Sequence, residues 1–527
     1  MLHDGLSVAA TSQPKKIAIC ESSHSISYAA LDAISKDLAE VLSGFDINSS
    51  PLILIYAERT AATIASFYGV LRSGGACVPL DPTAPLDRQR FVARDTRSSI
   101  LISDEPGVAR ALEIAKASGI PILIAFERVP GAGAECGTWR INYACRNDSP
   151  PALYQLRSDS MDGGARPAYV LYTSGSTGRP KGVVLSHGNM ECFVDWATGY
   201  FNLDSTDVLA SHAPLYFDMS IFDIFAAAKA CATLCLIPKG ISQFPASLGR
   251  YVENKGITTL YCVPSSLVKW IRSQAIVRGL RGTLKRLLYA GEPFPMVHLR
   301  QLVQAVPDAS IYNLYGPTET NVITCYKLEP QKDLQSASIP IGSPCPYAEI
   351  LIVDGNKVVT LPGNTGELVV RGKSLMVGYL RGGEQTISAV RPNGFGNNES
   401  APYYRTGDLV EILDDRQYRF IARNDRLVKV GGYRIEMGEI EHVVMELDEI
   451  EECVCVPDNS NADEIGLTAF VTLVDKSFQI DLIRDYLRHR LPGYMIPGRI
   501  ISLDSIPRTA TGKCDRNELA TFATRAV

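Results

Sequence analysis

The sequence predicts a helix-covered α/β domain joined to a smaller α+β domain. Three observations carry this. The chain has 527 residues, more than one hydrophobic core ordinarily serves. Strand-like runs of branched and aromatic residues alternate with helix-like runs over most of it, the pattern of a parallel or mixed sheet covered by helices. A change of texture follows Arg423-Asn424-Asp425, leaving about 100 residues, the size of a small domain. The division expected is a large domain over 1–422, a hinge at 423–425 and a small domain over 426–527.

Taken in order, PLILIYA (51–57) and GGACVPLD (74–81) read as strands, with RTAATIASFYGVLRSG (59–74) between them as a helix. Its apolar residues recur at three- and four-residue steps and glycine stops it. The stretch 128–166 is crowded with Gly, Pro and Ser and reads mostly as loop. AYVLY (168–172) and GVVL (182–185) read as buried strands, as do ATLCLIPK (232–239) and ASIYNLYG (309–316). After the texture change, VGGYRIEMGEIEHVVMEL, ECVCVPD, LTAFVTLV and IDLIRDYLRHRLP read as turn and helix, strand, strand and helix.

A net charge of -5 gives no electrostatic case for nucleic acid or an anionic membrane. No apolar run approaches the roughly 20 residues of a membrane helix. The start, MLHDGLSVAATSQPKK, lacks a basic segment followed by an apolar one, so no signal peptide is expected. The 13 cysteines are scattered without a CxxC pair. Reduced cysteines in a cytoplasmic enzyme are expected, not a disulfide framework or zinc site.

The chemistry concentrates first in LYTSGSTGRPKG (171–182). Glycines let backbone N–H groups approach an anion, and hydroxyls add donors. This is not the P-loop pattern GxxxxGK[ST]. Gly372-Lys373-Ser374 is a near miss, because Glu367 stands where the first glycine is required.

Taken together, the blocks resemble the superfamily of acyl-CoA ligases, nonribosomal-peptide adenylation domains and firefly luciferase. The signature loop YTSGSTGxPKG is matched by Tyr172–Gly182. It is followed in order by YGPTE (315–319), GEL (366–368), YRTGDL (404–409), RNDRLVKVGGYRIEMGEIE (423–441), LPGYMIP (491–497) and TGKCDR (511–516). The resemblance spans nearly the whole chain.

The resemblance implies an enzyme that uses ATP and Mg²⁺. A carboxylate attacks the α-phosphate, pyrophosphate leaves, and a thiol captures the acyl-adenylate. By resemblance, Thr173, Ser174, Gly175, Ser176, Thr177, Gly178 and Lys181 hold the β- and γ-phosphates, and Glu319 binds Mg²⁺. Tyr315 stacks on adenine, with Gly291, Glu292, Pro293, Asn313, Gly316 and Thr318 around the nucleotide. Asp408 takes the ribose hydroxyls, supported by Arg423. Lys513 reaches the α-phosphate and substrate carboxylate, a role suited to a long point charge on a mobile loop. Asp425 is the hinge about which the small, mobile domain swings. After the swing, Lys429, Gly431 and Gly432 replace Lys513.

In APLYFDMSIFDIF (213–225), Asp218 matches the aspartate of amino-acid-activating members. A carboxylate in an apolar pocket needs a cation, and a substrate ammonium supplies one. Motif alignment adds Phe217, Met219, Phe222, Cys262, Leu288, Ala290, Leu314, Val322 and Ile323, with Lys513 closing the set. The set fits a small to medium apolar amino acid. It looks most like stand-alone prolyl-AMP ligases acting on a carrier protein, departing at Met219, Cys262 and Ile323. A D-alanine or other small amino acid–carrier ligase, a carboxylic acid–CoA ligase, and an inactive nucleotide-binding scaffold are the alternatives. With no carrier domain after Lys513, the expected thiol belongs to a separate phosphopantetheinylated carrier protein met in a weak, transient complex.

Overall fold

The computed structural model describes residues 1–22, 24–45, 51–128, 139–145, 163–175, 179–242, 244–273, 280–355, 357–383, 386, 389–392, 402–424, 427–461, 465–475, 478–508 and 514–525. Two large sheets and a third, antiparallel one build the large N-terminal domain. The eight-stranded sheet runs, edge to edge, Gly378–Tyr379, Lys181–Ser186, Pro167–Thr173, Ala76–Leu80, Leu52–Tyr56, Ile100–Ser103, Ile122–Arg128, Trp139–Cys145. The nine-stranded sheet has Thr259–Cys262 and Arg286–Ala290 near its centre, flanked by Val208–Ser211 and Ser310–Tyr315, all parallel.

The expected strands at 51–57, 74–81, 168–172, 232–239 and 309–316 all form. The helix expected over 59–74 spans Ala61–Arg72, and its N-cap Thr60 accepts a hydrogen bond from Thr63 N. Every residue from Ala61 to Leu71 is buried, because the helix is enclosed on both sides. Phe67 meets Tyr169 of the eight-stranded sheet at 5.5 Å between ring centroids, and Tyr68 meets Phe225 at 5.3 Å. One expectation is corrected. Within 128–166, read as mostly loop, Trp139–Cys145 forms an edge strand antiparallel to Ile122–Arg128. Its Trp, Ile and Tyr are strand formers set between turn-rich flanks that dominated the reading.

The third sheet carries Pro402–Ile412 between Thr365–Gly372 and Tyr418–Arg423. Beyond it, the smaller C-terminal domain starts with the hairpin Leu427–Val430/Tyr433–Glu436. The helix Met437–Val444, strands Ile450–Asp458 and Gly466–Leu473 and helix Ile480–Arg490 follow in the expected order, with a parallel strand Arg499–Ser502 and a helix Arg516–Arg525 besides. Ile440, Val444, Cys455, Ala469, Ile483 and Leu487 form its own core. Among the described residues no helix is long and apolar enough to cross a membrane.

Candidate active site

The phosphate-type loop joins two antiparallel strands, with Thr173 opposite Lys181. Gly175 is required sterically: a Cβ there would lie 2.0 Å from Arg179 O. Ser176, Thr177 and Gly178 lie outside the described residues. Two of the described donors point at the small domain. Ser174 Oγ donates to Arg434 O at 2.6 Å and accepts from Glu436 N at 2.9 Å. Gly175 N donates to Glu439 Oε2 at 3.3 Å, and Arg88 Nη1 lies 2.5 Å from Glu439 Oε1. A buried carboxylate thus sits on the loop amide and the arginine, as a phosphate oxygen would.

Glu319 follows the turn of YGPTE and is wholly buried. Arg434 Nη1 lies 2.5 Å from its Oε2, Lys181 Nζ lies 3.6 Å from Oε1, and Tyr379 OH donates to Oε1 at 2.7 Å. Burial pushes this carboxyl up, but Arg434 and Lys181 outweigh it and hold it down at about 2. Burial pushes the Lys181 ammonium down, partly offset by Glu319.

Beside this cluster lies a cavity of about 520 Å³. Gly291, Glu292, Pro293, Asn313, Tyr315, Asp408 and Arg423 line it, so the expected nucleotide residues are brought together. Gly316 and Thr318 border the neighbouring cavity instead. Strand pairing sets Asp408 opposite Arg423, and Arg423 Nη1 donates to Asp408 Oδ1. Tyr315 OH donates to Asp408 Oδ2 at 2.5 Å. Glu292 accepts from Ser265 N at 3.0 Å and from Gly432 N at 2.6 Å.

A smaller cavity of about 110 Å³ adjoins it, sharing Gly291 and Lys429. Phe217, Asp218, Met219, Ala290 and Val322, five of the residues named from the sequence, line it. Asp218 immediately precedes a helical turn that continues as a π-helix over Phe222–Ala226, an irregularity frequent at functional sites. Burial pushes the Asp218 carboxyl up. The Thr318 hydroxyl, the Met219 amide and the Lys429 charge pull against it. Phe222, Leu288, Leu314 and Ile323 do not line this cavity; all four are buried in the apolar cluster that holds Ala290 and Val322, and Leu314 lines the larger cavity.

Cys262 stands apart from this set. It belongs to a different apolar cluster and borders a second cavity of about 340 Å³, with Arg59, His212, Gly431 and Gly432. Strand alternation is the reason. Tyr261 pairs with Leu288 and Cys262 with Tyr289, so Tyr261 shares the face of Leu288 and Ala290. Tyr261 lines the smaller cavity, and alternation along LYC was the signal that finds it.

The hairpin of the small domain closes the site. Gly431 and Gly432 both take positive φ, 59° and 82°, as a two-residue type I′ turn requires. A Cβ on Gly432 would lie 2.4 Å from Val263 Cγ1. Lys429 Nζ stands 5.9 Å from the Tyr315 ring centroid, and burial pushes its ammonium down. Tyr433 stacks on Tyr494 at 3.6 Å and meets Phe217 edge-on at 5.0 Å. Lys513 and Asp425 lie outside the described residues. The flanks of Lys513 are held within the small domain, Arg508 to Glu452 of the strand Ile450–Asp458 at 2.6 Å and Arg516 to Glu441 of the helix Met437–Val444 at 2.7 Å. Arg88, Tyr379, Arg434 and Glu439 were not expected from the sequence. Their roles depend on contacts between segments far apart in the chain.

Comparison with known proteins finds relatives over nearly the whole chain. The chain is 34% identical over 527 residues to the L-proline–[L-prolyl-carrier protein] ligase of Pseudomonas fluorescens, covering 99% of both chains. It is 31% identical to the ligase of that name from Streptomyces coelicolor, over 94% of this chain and 91% of the relative. The crystal structure of IdnL1 superposes with a TM-score of 0.81 at 27% identity, covering 96% of this chain and 98% of that one. Residues 6–380 match the AMP-binding enzyme family and residues 439–513 its C-terminal domain. The chain is an adenylate-forming, ATP-using ligase and belongs to the AMP-binding enzyme family.

Proposed function

We propose that this chain adenylates L-proline with ATP, releasing pyrophosphate, and passes the prolyl group to the phosphopantetheine thiol of a separate carrier protein. The observation that carries the substrate is the cavity at Asp218. Its one carboxylate among the described residues, Asp218, stands in about 110 Å³ of space with Met219, Tyr261, Ala290 and Val322 on one part of the lining and Arg88, Lys429 and Arg434 on another. That suits an ammonium on a compact apolar amino acid. The relatives' named substrate supports the choice of proline.

The residues divide the work. Asp218 holds the substrate ammonium and so places its carboxylate toward the nucleotide. Asp408 and Arg423 take the ribose, and Gly291–Pro293 with Tyr315 enclose the base. Thr173–Gly178 and Lys181 hold the β- and γ-phosphates, and Lys513 meets charge at the α-phosphate. Glu319 suits a cation, since the Arg434 guanidinium already occupies one side of it. Bound there, Mg²⁺ neutralises phosphate charge.

The arrangement described favours the second half-reaction. Arg434 O, Glu436 N and Glu439 engage Ser174 and Gly175, the loop positions where phosphate oxygens would otherwise be held. Lys429–Gly432 then stands where Lys513 works in the first step, after the domain over 426–527 turns about 423–425. The second cavity reaches Gly431 and Gly432 from outside and is the path for the thiol arm. The weak transient carrier complex forms in the cytoplasm. Nucleic acid and membrane take no part.

ATP–pyrophosphate exchange with L-proline, D-proline, L-alanine, D-alanine and L-valine tests this reading. Exchange greatest with L-proline supports it. Exchange greatest with D-alanine overturns the substrate but keeps the amino-acid class. Exchange only with acids lacking an amine returns the chain to the CoA-ligase alternative. No exchange with any acid leaves the scaffold.

A further inference from the structure

Cys20 ends the strand Ile17–Cys20, and Cys235 lies within Thr233–Leu236. The two strands run parallel with Cys20 directly opposite Cys235. Neighbouring strands lie about 4.8 Å apart, inside the roughly 4.4–6.8 Å Cα separation a disulfide spans. Both are free thiols, and Cys20 packs against the apolar cluster that contains Cys235. Their surroundings differ. Cys235 is fully buried and donates to the Tyr251 hydroxyl at 3.7 Å. Cys20 is partly exposed. Beside it, Lys255 Nζ donates to Glu21 O at 3.1 Å.

We propose that Cys20 and Cys235 form a peroxide-oxidisable dithiol, Cys20 attacking and Cys235 resolving. The Cys235 thiol, the Ser25 hydroxyl and the Lys255 ammonium favour thiolate on Cys20 against its burial, and the thiolate is the reactive form. Its sulfur attacks a peroxide oxygen. An S–O bond forms, the O–O bond breaks, and hydroxide leaves to become water. The Cys235 sulfur then attacks the sulfenyl sulfur. The S–S bond forms, the S–O bond breaks, and a second water leaves with the Cys235 proton. Two thiols and one hydrogen peroxide become one disulfide and two waters. The bond ties the hairpin Ile17–Ser27 to Thr233–Leu236 and closes a long loop, which restrains the unfolded chain. Neither residue borders the three cavities of the active site.

The test is peptide mapping by mass spectrometry after hydrogen peroxide treatment of the whole protein. A cross-linked peptide joining Cys20 to Cys235, two hydrogens lighter than its parts, is expected. The melting temperature should rise with oxidation and fall back with dithiothreitol. In Cys235→Ser, dimedone should label Cys20; in Cys20→Ser, position 235 should stay unlabelled. Thiols lost elsewhere while Cys20 and Cys235 remain reduced would overturn the proposal. If Cys235→Ser does not fold, the wild-type map alone decides.

Discussion

Arg434 reaches from the small-domain hairpin into the large domain and places Nη1 2.5 Å from Oε2 of the buried Glu319. The carboxylate proposed to hold the metal ion therefore has a protein cation on it while the hairpin is docked. On the proposed reading, metal with pyrophosphate and the hairpin with Arg434 compete for this carboxylate.

Arg434→Ala should weaken the docked arrangement, because removing one partner strands a buried charge at a cost of about 3–5 kcal/mol. Thioester formation from a supplied adenylate should fall by about 100-fold or more. ATP–pyrophosphate exchange should be kept. Separate assays of the two half-reactions check this, and equal loss in both would contradict it.

Asp218→Asn should remove amino-acid-dependent exchange, lowering kcat/KM by about 100-fold through the lost charge pair. Burial raises the Asp218 carboxyl above its ordinary range, so it protonates before an exposed carboxylate would. The KM for the amino acid should therefore climb as pH falls through mild acid. The KM for ATP should change less.

Tyr261→Ala should enlarge the small cavity and shift exchange toward bulkier apolar amino acids. Cys262→Ala should leave that preference alone, since Cys262 borders the other cavity. Methylene-sized differences give about 1–3 kcal/mol of discrimination, so the shift is a change of ranking. Exchange over the amino-acid panel reads it.

Glu319 binds its proton more weakly in the folded chain, at about 2 against 4.5 for a free glutamate. Its contribution to stability is full above about 4.5 and is lost as pH falls through about 2. The difference is on the order of 3 kcal/mol. Thermal melts between neutral pH and about pH 2 should show Glu319→Gln losing part of the wild-type acid dependence.

The sequence made much of this readable because local chemistry decides it. The buried run Leu52–Tyr56, the capped helix Ala61–Arg72 and the Gly431-Gly432 turn each follow from residue type. The loop around Thr173 and Lys181 and the nearness of Asp408 and Arg423 to one another are foreshadowed by the blocks they lie in, though their direct pairing is not. What was missed depends on distance or parity. Tyr261 and Cys262 differ by one position, and a strand sends neighbours to opposite faces. Arg434 meets Glu319 only because one domain rests on the other, which no local pattern encodes. Trp139–Cys145 was hidden by its turn-rich flanks.

The proposed selection of L-proline for adenylation rests on Asp218 and the cavity beside it. Its most direct test is mass spectrometry of the enzyme-bound product after incubation with ATP, Mg²⁺ and an equimolar mixture of the five panel amino acids, with no thiol present. The account predicts L-prolyl-AMP as the main adenylate, and its loss in Asp218→Asn. Another aminoacyl-AMP in its place, or prolyl-AMP undiminished in Asp218→Asn, would contradict it.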